Sequence, residues 1–290
     1  MQLLRQLSAD LLAEARAQAD GQVDPAEPRP ASTVVLLRDG DGAPGGLEVY
    51  LLRRHVDMAF APGMCVFPGG GVDERDFDAA VGWVGPSAAE WASLLSTDEG
   101  FARALVCAAV RETFEESGVL LAGPTADTLV GDTTGADWAD DRRLLEAREL
   151  SFTSFLDRRG LRLRTDLLRV WGSWVTPSVK PRRFAAWFFV AQLPAGQVTQ
   201  DVSTESDHAL WLPVREAVRA VRGESMLMML PTYCTCLELF GFTRTADALD
   251  AASDRDLTAV EPQVVLDGDG GRLTIPDRLV ALDAAVPDPL

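Results

Sequence analysis

Lysine is almost missing from this chain: Lys180 stands alone among 27 basic side chains, so nearly every cation is an arginine. A guanidinium offers a planar fork that matches carboxylate or phosphate, so the positive groups suit oxyanion partners. Histidine is nearly as scarce, with only His55 and His208. A His-rich metal centre is thereby excluded. A Ser-His-Asp triad would need one of these two beside an activated serine, and no Gly-x-Ser-x-Gly elbow occurs. The absence of a Gly-x-x-x-x-Gly-Lys-Ser/Thr loop sets P-loop chemistry aside. Cys65, Cys107, Cys234 and Cys236 lie in apolar surroundings, which argues against a disulfide framework. The Cys234-Thr235-Cys236 pair lacks zinc-ligand spacing and is expected to be buried and structural. No apolar run reaches membrane-spanning length. Asp10 and Glu14 interrupt the leucines of the first twenty residues, unlike a signal peptide, and Pro287-Asp-Pro-Leu290 is not a Ser-Lys-Leu signal. A cytoplasmic location is the expectation. What remains is carboxylate and arginine chemistry.

The net charge of −17, from 27 Lys+Arg against 44 Asp+Glu, argues against nucleic acid or an anionic membrane as partner. A phosphate-ester substrate would need metal ions and a local arginine cluster to overcome that field. With 290 residues, 47% of them hydrophobic, the chain suffices for one elaborated domain or two small ones.

The leucine-bearing first twenty residues have the pattern of an amphipathic helix, a candidate dimer contact, followed by a proline-bearing linker at Gly21 to Pro30. Ser32 to Arg38 and Leu47 to Arg53 are β-rich runs around a Gly/Asp loop, the pattern of a hairpin. A short apolar strand, Met64 to Phe67, then ends in the corner Pro68-Gly69-Gly70-Gly71, where backbone can approach a ligand closely. Short helices are expected at Ala88 to Leu95 and Asp140 to Glu149. Strands are expected at Leu167 to Thr176, Arg183 to Leu193 and Ala209 to Leu212, with helices at Val214 to Arg222 and Pro231 to Gly241 and a last hairpin at Gln263 to Ile275. This irregular interleaving predicts an α/β fold, a mixed sheet sandwiched between helices, rather than a doubly wound repeat.

A helix is also expected over Thr97 to Ser117, opened by a Ser96/Glu99 capping box and stopped at Gly118. At about 100° per residue, Glu112, Glu115 and Glu116 share one face, flanked by Ala108 and Ala109. Val106, Cys107, Val110 and Phe114 turn toward a core. Three carboxylates in the last turns oppose the helix dipole and one another, a conflict that a hard divalent cation would remove.

The glycine corner together with Arg111-Glu112-Thr113-Phe114-Glu115-Glu116-Ser117-Gly118-Val119 resembles the two ends of the Nudix box, and the chain is similar to the Nudix hydrolases. Two departures accompany the match. Forty residues, 71 to 110, separate Gly70 from Arg111, against about thirteen in the usual box. Arg103 stands where the usual glutamate, eight positions before the box arginine, is expected, and Glu99 is the candidate to replace it. The long insertion, Leu51-Leu52-Arg53-Arg54 ahead of the corner, and Trp174 to Pro177 resemble the coenzyme A diphosphatase type of peroxisomal Nudix enzyme, although Ala59 replaces that type's internal arginine.

The resemblance implies an α/β/α Nudix domain over 31–245 with an insertion near 72–98, an N-terminal helix and linker at 1–30 and a C-terminal extension at 246–290. It implies Mg²⁺ or Mn²⁺ held by Glu115 and Glu116, with Glu112 as ligand or general base oriented by Arg111. Glu205, in competition with Asp201 and Asp207, would supply a further base or ligand. Gly69 and Gly70 would approach metal or phosphate. Arg53, Arg182 and Arg183 are candidates to hold substrate phosphate, and Trp171, Trp174 or Trp187 to stack on a base. The implied reaction is hydrolysis of the diphosphate of coenzyme A or its acyl derivative. ADP-ribose, dinucleotides or nucleotide sugars are alternative substrates, and a nucleotide-binding module without catalysis is the alternative of another class.

Overall fold

The structure, a computed structural model, describes residues 7–40, 46–57, 61–201 and 206–287. The first elements are α1 (Ala9–Ala19), β1 (Arg29–Asp39), β2 (Leu47–Arg54), β3 (Cys65–Val66) and β4 (Gly69–Gly71). Then follow β5 (Trp83–Val84), α2 (Ala88–Leu95), α3 (Glu99–Ser117), β6 (Ala122–Gly123), α4 (Ala136–Glu146), α5 (Phe152–Arg158) and β7 (Arg162–Arg164). The chain continues through β8 (Arg169–Val175), β9 (Phe184–Gln192), β10 (Ser206–Pro213), α6 (Val214–Arg222), α7 (Leu230–Leu239) and α8 (Thr245–Ala251). It ends with β11 (Gln263–Asp267), β12 (Gly270–Thr274) and α9 (Asp277–Ala285).

The main sheet runs β10-β2-β1-β9-β8, with β3 added on β2 and β4 on β1. It is mixed: β1 is antiparallel to β2 but parallel to β9, pairing Arg29 with Phe184. Period-two alternation sends its side chains into two separate cores. Val34, Leu36, Tyr50, Leu52, Phe189 and Ala191 pack beneath α2, α3 and α5. Val35, Leu37, Val49, Leu51, Phe188 and Val190 pack against α6, α7 and α9. The expected helix–sheet–helix sandwich is therefore present, with its central strands buried on both faces.

Several expected elements recur with little change, among them the β1–β2 hairpin, α2, α6 and the β11–β12 hairpin. Others shift. Helix α3 starts at Glu99, and its cap is Asp98, whose carboxylate accepts the Phe101 N–H at 2.9 Å. Ser96 instead closes α2 in the left-handed conformation (φ 53°), so the Ser96/Glu99 capping box does not form. Ala108 and Ala109 do not flank an open face. They are fully buried, because α3 lies between the sheet and α2 and is covered over most of its circumference. Helix α4 lies about one turn earlier than expected, and α5, α8 and α9 were not anticipated. Two of these are seven residues long, too short for a periodic signal to stand out.

The insertion is ordered. Its β5 pairs with β7 in a small β5-β7-β6 sheet, and Trp91 of α2 fills the first core. At the other edge, α1 docks on the chain's own C-terminal hairpin, with Arg16 donating to the Asp269 carbonyl at 2.6 Å and Lys180 paired with Glu14 at 2.7 Å. The extension joins the second core through Val260 and Leu279. Among the described residues no helix is long and apolar enough to cross a membrane.

Candidate active site

Strand β4 pairs with β1 (Gly70 opposite Ser32), and α3 crosses the same stretch of β1, where Ser32 Oγ donates to the Leu105 carbonyl at 2.7 Å. This brings the glycine corner against the last turns of α3. The fit depends on the absence of side chains. A Cβ at Gly70 would stand 2.5 Å from the Glu112 carboxylate, and one at Gly69 would stand 2.5 Å from the Ser32 carbonyl oxygen. The Gly69 N–H donates to Glu116 Oε2 at 2.8 Å. At the helix end, Gly118 takes φ 72° and donates to the Phe114 carbonyl, so glycine meets the left-handed stop. Thr113, in the place of an aliphatic residue, is buried with its hydroxyl donating to the Ala109 carbonyl at 2.7 Å.

Arg111 holds the acidic turn in place. Its Nη1 donates to Glu112 Oε1 at 2.8 Å and lies 3.3 and 3.4 Å from the Glu115 oxygens. The rest of the fork is held by Asp76, with Nε to Oδ1 at 3.0 Å and Nη2 to Oδ2 at 2.8 Å, while Nη2 also reaches the Gly71 carbonyl at 3.0 Å. The Asp76 side chain is only 1% exposed. Its Oδ2 further accepts the Asp73 N–H at 2.8 Å, closing a short 3-10 turn at Glu74–Phe77. Asp76 was not singled out in the sequence, yet a signal existed. In the usual box the glutamate lies six positions after the glycine, and six after Gly70 is Asp76. The insertion follows this carboxylate, so counting backwards from Arg111 landed on Arg103.

The two residues considered at that point lie elsewhere. Arg103 stacks on the Trp83 ring at 4.9 Å. Glu99 is exposed at the first turn of α3, thirteen residues and thus about 20 Å along the axis from Glu112, and cannot join the site.

Burial raises the Glu115 pKa to about 8, an effect opposed by Arg111 and reinforced by the neighbouring Glu112. Glu112, Glu115 and Glu116 line a cavity of about 910 Å³ together with Gly69 to Gly71, Arg29 and Phe184, with Asp73, Glu74 and Arg75, and with Glu146 and Arg148 from the end of α4. As the side chains stand, no three acidic, histidine or cysteine groups among the described residues converge on a point where a metal ion would sit. Arg111 engages two of the glutamates and Gly69 the third. The donor chemistry nonetheless fits a hard cation: all three donors are carboxylates, and Glu115 is a buried acid whose ionisation an added positive charge would favour.

Glu205 falls outside the described residues. Of its competitors, Asp207 is paired with Arg53 through both oxygens at 2.8 and 3.0 Å. Asp201 lies near Tyr50, whose hydroxyl is pushed up by burial and then by the charges of Asp201 and Glu116. The phosphate-holding arginines anticipated from sequence do not line the cavity. Arg53 is spent on Asp207, and Arg182 is exposed outside the cavity wall. Arg183 is buried and structural, donating to the carbonyls of Thr176 (3.0 Å) and Ala26 (2.8 Å) and to Glu261 (2.7 Å). The tryptophans are not a base platform in the cavity either. Trp171 and Trp174 belong to the second core, with Trp171 donating to Glu238, and Trp187 packs against the first. Phe184 and Arg29, register partners at the starts of β9 and β1, occupy the cavity instead.

Residues 88–236, half of the chain, match the family model described as the NUDT19 Nudix domain. The chain is a Nudix hydrolase. Among curated relatives it is 26% identical to an acyl-coenzyme A diphosphatase NUDT19 of Gallus gallus, an alignment covering 80% of this chain and 73% of the relative. It is 30% identical to a putative nudix hydrolase 7 of Caenorhabditis elegans, covering 59% of this chain and 48% of the relative. Among solved structures, a NUDIX hydrolase from Alicyclobacillus acidocaldarius superposes with a TM-score of 0.65 at 27% identity, covering 78% of this chain and 96% of that one. The family and long-insertion subgroup expected from the split box are thus the ones found. Nudix hydrolases generally use divalent metal ions.

Proposed function

We propose that this Nudix hydrolase cleaves the diphosphate of coenzyme A or acyl-coenzyme A, giving 3′,5′-ADP and phosphopantetheine or its acyl derivative. The observation that carries the reading is the cavity that joins the Gly69–Gly71 corner to the Glu112, Glu115 and Glu116 turn and is completed by residues 72–75 and the end of α4. The diphosphatase names of the relatives NUDT19 of Gallus gallus and of Xenopus laevis support the substrate class.

Glu112, Glu115 and Glu116 would hold Mg²⁺ or Mn²⁺. When bound, the cation neutralises diphosphate charge and lowers the pKa of a water molecule. The protein supplies the rest. Gly70 leaves room for the Glu112 carboxylate to lie against β4, and Arg111 fixes the rotamer of Glu112 through a charge-assisted bond. Glu112, so fixed, would take the proton from the attacking water as its oxygen bonds to one phosphorus. The bridging P–O bond breaks and the other phosphate leaves. Either phosphorus gives the same two products. The intact set of three carboxylates favours turnover over a module that only binds.

A substrate panel with Mg²⁺ or Mn²⁺, resolved by chromatography, tests the proposal. Release of 3′,5′-ADP from coenzyme A is expected. No cleavage of coenzyme A alongside clear cleavage of ADP-ribose, a dinucleotide or a nucleotide sugar would overturn it.

A further inference from the structure

The part of the cavity wall formed by residues 72–75, 145, 146 and 148 carries two arginines that the cleavage step does not use. Arg75 lies in the short turn beside Asp76, and its Nε and Nη2 hold Asp73 at 2.8 and 3.1 Å. This bond keeps the Asp73 carboxyl well below the usual carboxylate range. Arg75 Nη1 donates to the carbonyls of Arg148 at 2.9 Å and Leu150 at 3.5 Å. Arg75 thus ties the 3-10 turn at Glu74–Phe77 to the loop that follows α4.

Arg148 itself stands in the left-handed region, with φ 58°. This is the left-handed stop that follows α4, as Ser96 is for α2. The turn that imposes this conformation is well bonded: the N–H groups of Glu149 and Leu150 both donate to the Leu144 carbonyl, at 2.9 and 3.1 Å. The conformation leaves the Arg148 side chain on the cavity wall and 77% exposed, with Asp73, already engaged by Arg75, 3.8 Å away. Arg75 and Arg148 share this wall with Asp73, Glu74 and Glu146; Arg75 is held by Asp73 at 2.8 Å, while Arg148 lies 3.8 Å from the same carboxylate and is the more exposed cation. Glu146, on the same wall, lies in the field of Arg142.

The wall is also in register with the site. A continuous chain of bonds runs from Glu112 through Arg111, Asp76, Asp73 and Arg75 to the Arg148 backbone. The scissile diphosphate must lie at the carboxylate end, beside the open side of Gly71. A second anionic group on the same substrate is then left to the wall that holds Arg75 and Arg148.

We propose that Arg148, backed by Arg75, is a specificity subsite for a phosphate monoester outside the scissile diphosphate, the 3′-phosphate of the nucleotide half. The inference rests on the coenzyme A reading above and adds to it the residue that would separate coenzyme A from its 3′-dephosphorylated form.

The test compares kcat/KM for coenzyme A and for 3′-dephospho-coenzyme A, which share one diphosphate, in the wild-type enzyme, R148Q and R148K. One charge-assisted bond is worth a factor of about 10 to 100, so R148Q is expected to lower the ratio of the two values about tenfold or more, chiefly through KM for coenzyme A. R148K is expected to keep part of the preference. Equal losses on both substrates, or an unchanged ratio, would overturn the subsite. If neither compound is cleaved, the coenzyme A reading fails, and binding then decides the subsite alone. Preference for 3′,5′-ADP over 5′-AMP that is lost in R148Q supports it, and equal affinities in the wild type overturn it.

Discussion

At the scale of single residues, the site turns on a buried carboxylate that does not line the cavity. Asp76 neutralises Arg111, and Arg111 aims Glu112. Removing one partner of a buried pair leaves the other charge uncompensated, at about 3 kcal/mol. Asp76→Ala is therefore expected to lower both thermal stability and kcat. Asp76→Glu, which restores the charge, should recover part of each, and the pH profile of kcat should shift in the alanine variant. Turnover and pH profile unchanged in Asp76→Ala would show that Arg111 needs no such support. Glu115 adds a pH signature. Its folded pKa of about 8 lies above that of an unfolded glutamate, so the folded state binds more protons between roughly pH 4.5 and 8. Its share of stability is then full below pH 4.5 and is lost as pH rises toward 8. Melting in chelator should fall over this window by an amount worth a few kcal/mol at most, less so in Glu115→Gln. Added Mg²⁺ should stabilise more at pH 8 than at pH 5. A chelator melting curve identical in the two proteins across the window would contradict the shift.

At the scale of elements, two neighbouring glycines of β4 have different duties and should fail differently. A methyl at Gly70 meets the far end of the Glu112 side chain, which can swing away. Gly70→Ala should thus keep the melting temperature nearly unchanged and lose activity by about a hundredfold, the scale of a misplaced catalytic group. A methyl at Gly69 meets backbone, the Ser32 carbonyl and Thr33 Cα at 2.7 Å, which cannot move without shifting β1. Gly69→Ala should lower the melting temperature by several degrees, equivalent to about 1–3 kcal/mol. Equal melting temperatures in the two variants would contradict the packing described here. The elements themselves were legible where a local signal was strong. The β1–β2 hairpin announces itself by two β-rich apolar runs, and α6 by its apolar stripe at Val214, Ala217 and Val218. The start of α3 was misjudged because Ser96 and Asp98 are both good caps, and the choice between them is made by how α2 ends. The arginines failed as phosphate contacts for a similar reason. A sequence shows that Arg53 and Arg183 are cations, while only the fold shows that Asp207 and Glu261 already hold them.

At the scale of the molecule, the insertion is what makes the site both hard to find and distinctive. It parts Asp76 from Arg111 by thirty-four residues, 77 to 110, and the fold returns them to 2.8 Å. The same segment sends α2 into the first core, while residues 72–75 just before it and 145, 146 and 148 at the end of α4 line the cavity. The two ends of the site were visible as motifs because each is local. The wall was not, because Arg29, Arg75, Arg148 and Phe184 come from four distant places and share no spacing. The central claim is that these halves form one metal-dependent hydrolytic site at the end of α3. It is tested most directly by Mg²⁺-dependent release of 3′,5′-ADP from coenzyme A in wild type and Glu115→Gln. Turnover is expected to be lost in the variant, with its melting temperature in chelator at or above that of the wild type. Equal turnover in the two proteins would contradict the account.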